Sequence, residues 1–300
     1  MPAIPFTEGG PEESDTYEYH WRGQFLESHT LSDVGKKREH NEDRCILCVP
    51  EDAALAEGRG MLFAVADGMG GVRGGAYASR VALDTLTETY YRGTADTVPG
   101  RLRGAIDAAN RKIYDEAEHQ PEYYGMGTTV STLLVKGDHA YVAQVGDSRV
   151  YLLRGDALSQ VTDDHSLVAE QLRNGLISED EAKNHALKNL ITRAVGTTEA
   201  VKVDLFVFRL KPNDTLLLCS DGLSNVVEDQ QIQEALGEGK LQAAARILVG
   251  RALEGGGPDN ISVLLVRVCD IPPKTAPEEG ARHVALEKGG LLGRLKGLMS

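Results

Sequence analysis

Short apolar runs that come in consecutive groups, with helical stretches only between the groups, constrain the fold of this chain more than any other feature. Residues 25–30, 44–49 and 61–66 read as strands, and two helical stretches follow over 76–91 and 100–119. In the second stretch Leu102, Ala105, Ile106, Ala109 and Ile113 recur at helical spacing, which predicts one buried face. From Thr128 the chain returns to strands in the runs TTVSTLLV, HAYVAQVGD and RVYLLR, with hairpin turns expected at Gly137-Asp138 and Gly155-Asp156. A more polar segment over 166–185 looks helical, interrupted by Gly175. Two strands over 201–210 and 214–220 are split by the turn signal Lys211-Pro212-Asn213. A helical region over 229–253 and a strand over 261–268 complete the body. A doubly wound parallel sheet would alternate strand and helix strictly, so the grouping predicts a mostly antiparallel, layered α+β fold.

Residues 1–20 carry five carboxylates and no Lys or Arg, which predicts an acidic, disordered lead-in. From residue 271 the chain turns rich in Pro, Gly and Glu, predicting a flexible tail over 271–300. The 21–270 body is long enough for one domain with a sizeable core. A formal net charge of −13 speaks against nucleic acid as the main partner, because phosphate backbones are gripped by clustered Lys and Arg. It suits divalent cations. No apolar run reaches the ~20 residues of a membrane span. The start MPAIPFTEGGPEES also lacks the basic-then-apolar order of a signal peptide, so a cytoplasmic protein is expected. Cys45 and Cys48, three residues apart in a strand, are expected on opposite faces as buried thiols rather than as half of a zinc site.

An apolar strand that runs into Asp-Gly puts a carboxylate at the sheet rim, where glycine lets the backbone turn away. FAVA runs into Asp67-Gly68, TLLLCS into Asp221-Gly222, QVG precedes Asp147, and GGGP precedes Asp259-Asn260. One such aspartate is ordinarily a turn former. Four of them, with the cluster Asn41, Glu42 and Asp43 in an acidic chain, point to a shared site. Converging carboxylates repel unless hard divalent cations take their oxygens. Two such ions about 3.5–4 Å apart activate water for in-line attack on phosphorus. Arg38 is the natural complement, since a guanidinium binds a phosphate through two parallel hydrogen bonds. The chemistry requires that these residues meet in space.

Eight segments carry a resemblance: SDVGKKREHNEDR (32–44), FAVADGMGG (63–71), GTTVSTLLV (127–135), AQVGDSRVYLLR (143–154), TDDHS (162–166), ITRAVG (191–196), LLLCSDGLSNVV (216–227) and DNISVLLV (259–266). In this order they resemble the metal-dependent protein serine/threonine phosphatases of the 2C (PPM) type, particularly the bacterial branch, over about residues 25–269. The resemblance implies two packed antiparallel β-sheets sandwiched between helical layers. It implies that Asp67 bridges two metal ions, that the Gly68 carbonyl joins the second, and that Asp221 and Asp259 are ligands of the first. Glu42 and Asp43 would hold metal-bound water, Asp147 with Asp221 would form a third metal site, and Arg38 would bind the phosphate. The implied reaction is one-step hydrolysis of phosphoserine or phosphothreonine in proteins by a metal-bridging hydroxide, using Mn²⁺ or Mg²⁺ and no phosphoenzyme. The implied partners are phosphorylated proteins, substrates of a bacterial Ser/Thr kinase, and a monomer is the default state.

One position departs from the pattern. Some relatives carry histidine where this chain has Met69, and a thioether donates no proton, which leaves the general acid open among metal-bound water, His40 and His165. Thr128, Thr129, Ser131 and Thr132 read as core-strand residues, not nucleophiles. Residues 166–185 occupy the family's flap and are expected to govern substrate choice. The stripe of Leu291, Leu292, Leu295, Leu298 and Met299 is interrupted by glycines and reads as a frayed tail. Two other classes stay open. One is a catalytically inactive relative serving as a binding module, against which stand Arg38, Asp43, Asp67, Asp147, Asp221 and Asp259. The other is a two-metal phosphodiesterase or nuclease, against which stand the negative charge and the lack of a basic stripe.

Overall fold

Strands buried on both faces read as unbroken apolar runs, and β5 (Met61–Met69) is one of them. In the computed structural model, which describes residues 6–11, 16–183 and 185–284, Leu62, Ala64 and Ala66 of β5 pack toward helices. Phe63 and Val65 pack toward a second sheet. The first sheet has the order β1 (Phe6–Gly10), β4 (Asp43–Val49), β5, β7 (Val130–Lys136), β8 (His139–Val145), β11 (Asp204–Arg209) and β14 (Arg282–His283), with the short β6 (Gly127–Thr128) on the end of β5. The second has the order β10 (Ala157–Gln160), β9 (Arg149–Arg154), β12 (Thr215–Cys219), β13 (Ile261–Val268), β3 (Leu26–Asp33) and β2 (Thr16–Arg22). All neighbours are antiparallel except β11 and β14.

Helices α2 (Gly71–Arg92) and α3 (Val98–His119) cover the outer face of the first sheet. The expected stripe of α3 is wholly buried there, and each of its larger aliphatic side chains contributes roughly 2 kcal/mol by leaving water. Thr97 caps α3, its Oγ1 accepting from the Gly100 N–H at 3.2 Å. The second sheet is covered by α7 (Asp229–Leu236) and α8 (Leu241–Glu254). Shorter helices complete the described set: α1 (Ala53–Arg59), α4 (Leu167–Arg173), α5 (Glu179–Lys183) and α6 (Asp221–Ser224). The layered, sheet-on-sheet architecture expected from the sequence is thus observed. Cys45 packs between the sheets and Cys48 under the helices, on opposite faces of β4 as their spacing requires.

Several boundaries differ from expectation. The region over 229–253 is two helices, split where Gly239 takes a φ of +80°. The segment over 166–185 is likewise two short helices, with Gly175 at a φ of +69° between them. The lead-in is not disordered where it is described, since β1 pairs with β4 and β2 with β3. TYEYHWR alternates at period two, so Tyr19 and Trp21 cover the rim of the inter-sheet core while its charged residues face outward. Those two strands also satisfy backbone edges that β3 and β4 would otherwise leave open. The start of the tail is ordered too. Thr275 N–H donates to the buried Asp138 carboxylate at 2.9 Å, Lys136 pairs with Glu278 at 2.7 Å, and the Arg282 guanidinium lies 4.6 Å above the Phe206 ring. The leucine stripe over 291–299 lies outside the described residues.

Removing residues 1–22 strips one strand from each sheet. The truncated chain is expected to melt at least about 2 °C lower, the shift that roughly 1 kcal/mol produces in a domain of this size, and to self-associate through its uncovered edges. Calorimetry and size-exclusion chromatography check this; an unchanged melting temperature would mean that the two strands add nothing.

Candidate metal centre

Antiparallel register brings the strand-end aspartates to one rim. Asp43, at the start of β4, lies directly opposite Asp67 near the end of β5. Asp147 follows β8, Asp221 follows β12, and Asp259 precedes β13, so all five sit at the same end of the sandwich. Backbone bonds fix Asp67. Its N–H donates to Thr129 Oγ1 at 2.9 Å, and its carbonyl accepts from the Thr129 N–H and from Thr128 Oγ1, both at 2.9 Å. The glycine after it is required by space. A Cβ on Gly68 would sit 2.1 Å from the Gly75 carbonyl oxygen, so only glycine lets the start of α2 pack this close to the strand.

Asp43 is buried; its Oδ2 accepts from Ser220 Oγ at 2.7 Å, and its Oδ1 has no protein partner. Asp147 is also buried, with Oδ1 unpartnered. Asp221 Oδ2 accepts from Asn225 Nδ2 at 2.9 Å. Arg38, about half exposed, donates from Nη2 to Asp259 Oδ2 at 2.8 Å. Glu42 is buried beneath the Arg38 loop. The structure therefore gathers Arg38, Glu42, Asp43, Asp67, Gly68, Asp147, Asp221 and Asp259 at one rim.

The electrostatics agree with that convergence. Burial, followed by repulsion from Asp43, Asp221, Asp147 and Asp259, holds the Asp67 carboxyl well above the usual carboxylate range. Burial and then Asp221 and Asp259 push Asp43 up to about 7, against the hydroxyls of Ser220 and Ser262. Burial and then Asp221 and Asp164 push Asp147 up to about 8, while burial and Asp259 push Asp221 up to about 6. Burial also raises Glu42.

Such a set is unstable as free anions and fits hard cations. Every side-chain donor is oxygen, two buried carboxylate oxygens are orphaned, and mutual repulsion is relieved by divalent charge. Among the described residues, no three or more His, Cys, Asp or Glu side chains are already closed around a metal position. Arg38, Ser220 and Asn225 instead occupy carboxylate oxygens.

The histidines separate cleanly. His165 is buried, its Nδ1 accepting from the Gly146 N–H at 3.0 Å and its Nε2 lying 3.1 Å from Asp204. Both ring nitrogens are thus spent on holding loops together. His40 is exposed, and Met69 is half-buried where β5 meets β6. Thr128, Ser131 and Thr132 are fully buried strand residues, as expected, and Thr129 is equally buried at the join of β6 and β7. Sequence reasoning missed what supports the carboxylates. Ser220, the residue before Asp221, donates to Asp43. Thr129 holds Asp67 and meets Ser148 Oγ at 2.7 Å. Beside Asp147, Arg149 grips Asp164 with Nε and Nη2 at 2.7–3.0 Å. A hydroxyl one residue before a rim aspartate was the available signal for Ser220.

The sequence profile of the protein phosphatase 2C family matches residues 35–246. The chain is 41% identical over 240 residues to the serine/threonine phosphatase stp of Listeria innocua, an alignment spanning 78% of this chain and 93% of that protein. Its fold superposes on the serine/threonine phosphatase Stp1 from Staphylococcus aureus with a TM-score of 0.75 at 33% identity, covering 82% of this chain and 96% of the other. It superposes on the catalytic domain of the phosphatase PstP, solved in complex with two manganese ions, with a TM-score of 0.71 at 35% identity, covering 82% and 99%. The chain belongs to the protein phosphatase 2C family.

The raised carboxylates set a pH dependence. A carboxyl whose folded pKa lies above its unfolded value of about 4 stabilises the fold at low pH, and that stability is lost as pH rises through the folded value. In excess EDTA the melting temperature is therefore expected to fall between pH 5 and pH 8, the window spanned by Asp221, Asp43 and Asp147. Stabilisation by Mn²⁺ should grow over the same window, and Asp147→Asn should flatten its upper part. A melting temperature in EDTA that rises across this range would contradict the assignment.

Proposed function

We infer that this member of the protein phosphatase 2C family is a Mn²⁺- or Mg²⁺-dependent phosphatase acting on phosphoserine and phosphothreonine in proteins. The observation that carries the reading is the meeting of five aspartates and Arg38, from both sheets, at one rim. When bound there, a pair of divalent ions lowers the pKa of water and neutralises charge on the phosphoryl oxygens.

The chain's own residues divide the remaining work. Asp67, Asp221, Asp259 and the Gly68 carbonyl would hold the ions, and Glu42 and Asp43 would accept from water bound to them. Asp147 with Asp221 offers a further site on the side braced by Arg149. Arg38 stands at the open edge, where exchanging its Asp259 contact for a phosphoryl oxygen orients the substrate. No side chain here supports covalent catalysis, since the nearby hydroxyls of Thr128 and Thr129 are buried and bonded. With Met69 unable to donate a proton and His165 committed to Gly146 and Asp204, neither of these side chains supplies the leaving group's proton.

Residues 21–270 form the catalytic unit in this reading, with the flanking strands packed onto it. The flap over 166–185 governs substrate choice. A Ser/Thr kinase supplies the phosphorylated substrates, and the protein acts as a cytoplasmic monomer. No described helix is long and apolar enough to cross a membrane.

Phosphate release from a phosphothreonine peptide tests the activity. Turnover is expected with Mn²⁺, none in excess EDTA, and a loss of about 100-fold or more in kcat for Asp221→Asn. A folded, Mn²⁺-binding protein without turnover would leave only a binding role.

A further inference from the structure

Asn260 has no place in the reaction described above, yet its buried carboxamide is bonded in every direction. Oδ1 accepts from the Glu42 N–H at 2.8 Å, while Nδ2 donates to the carbonyls of Val34 at 2.9 Å and His40 at 3.0 Å. These partners are the two feet of the loop that carries Arg38. The near foot is fastened further. Gly35 lies so close to the neighbouring loop, at a φ of +80°, that a Cβ would stand 2.2 Å from the Asp259 carbonyl oxygen. Lys36 N–H donates to the Gly257 carbonyl at 2.8 Å. Between Lys36 and His40 the loop arches outward with Arg38 at its middle. The Asn260 side chain thus bonds both feet at once.

We propose that Asn260 is a positioning residue for phosphate binding. Its carboxamide closes the base of the 34–42 loop and thereby sets where the Arg38 guanidinium stands over the carboxylate cluster. The proposal rests on the reading of Arg38 as the phosphate-binding residue. An aspartate in this place would keep the shape but lose both donors, leaving the Val34 and His40 carbonyls facing a negative charge. With the base open, Arg38 samples more positions, and the ordering cost falls on phosphate binding rather than on metal binding.

A double-mutant cycle on the Mn²⁺-loaded full chain tests this, read as the inhibition constant for inorganic phosphate and, by calorimetry, as Mn²⁺ affinity. Arg38→Ala and Asn260→Ala are each expected to weaken phosphate inhibition about tenfold, and the double variant no further than Arg38→Ala alone. Mn²⁺ affinity in Asn260→Ala should stay within about threefold of wild type. Additive losses, or a larger loss of Mn²⁺ affinity, would show Asn260 acting through something other than Arg38 and overturn the proposal. Unchanged phosphate inhibition in Arg38→Ala would sink the reading of Arg38 itself, and this proposal with it. If Asn260→Ala does not fold, Asn260→Ser, which keeps one donor, goes through the same cycle. Failure of both to fold would assign Asn260 to the fold alone and likewise overturn the proposal.

Discussion

Carboxylates do not gather in a partly buried place unless something of opposite charge joins them, and this repulsion is the constraint on which the architecture depends. Asp43, Asp147, Asp221 and Asp259 each push up the carboxyl pKa of at least one other member of the group, that of Asp67 above all. A flexible chain would relax by moving them apart. Here two sheets locked face to face by an apolar core prevent that, so the relief comes from protons at low pH and from cations as the carboxyls ionise.

The locking is done mostly by backbone and by small side chains. Asp67 cannot turn because Thr128 and Thr129 hold both its amide and its carbonyl. Asp43 is oriented from the facing sheet by Ser220, and the loop bearing Asp147 is braced by the Arg149–Asp164 pair. Hydrogen bonds to charged groups of this kind are worth about 1.5–3 kcal/mol each. Their greater effect is geometric, since they spend freedom that metal binding would otherwise have to remove.

Much of this was legible in the sequence, and the reasons are local. Alternation and run length located β5, β7, β12 and β13, because strands buried on both faces must be apolar throughout. The spacing of Cys45 and Cys48 placed them on opposite faces, because side-chain direction in a strand has a period of two. Rim aspartates showed as Asp-Gly at strand ends. What escaped notice depends on partners distant in the chain. The strands β1 and β2 look like an acidic tail until β4 and β3 offer them edges. The roles of Ser220 and Asn260 exist only after β12, β13 and the 34–42 loop have come together, and no window of sequence contains all three. The helical breaks near Gly175 and Gly239 depend on single residues of positive φ inside otherwise helical patterns.

The two outer strands of the first sheet come from opposite ends of the described chain, β1 against β4 and β14 against β11. Asp259, which stands near Asp67 at the rim, is encoded roughly two hundred residues after it. During synthesis the first sheet can assemble early, but its far edge stays open until residues 282–283 have left the ribosome. The second sheet lacks β13, the strand joining β12 to β3, until still later than most of the core. A nascent or prematurely terminated chain thus has Asp43 and Asp67 without the partners that complete the cluster. A cut anywhere between β5 and β13 therefore separates the carboxylates of the rim into two incomplete groups, however well either piece folds.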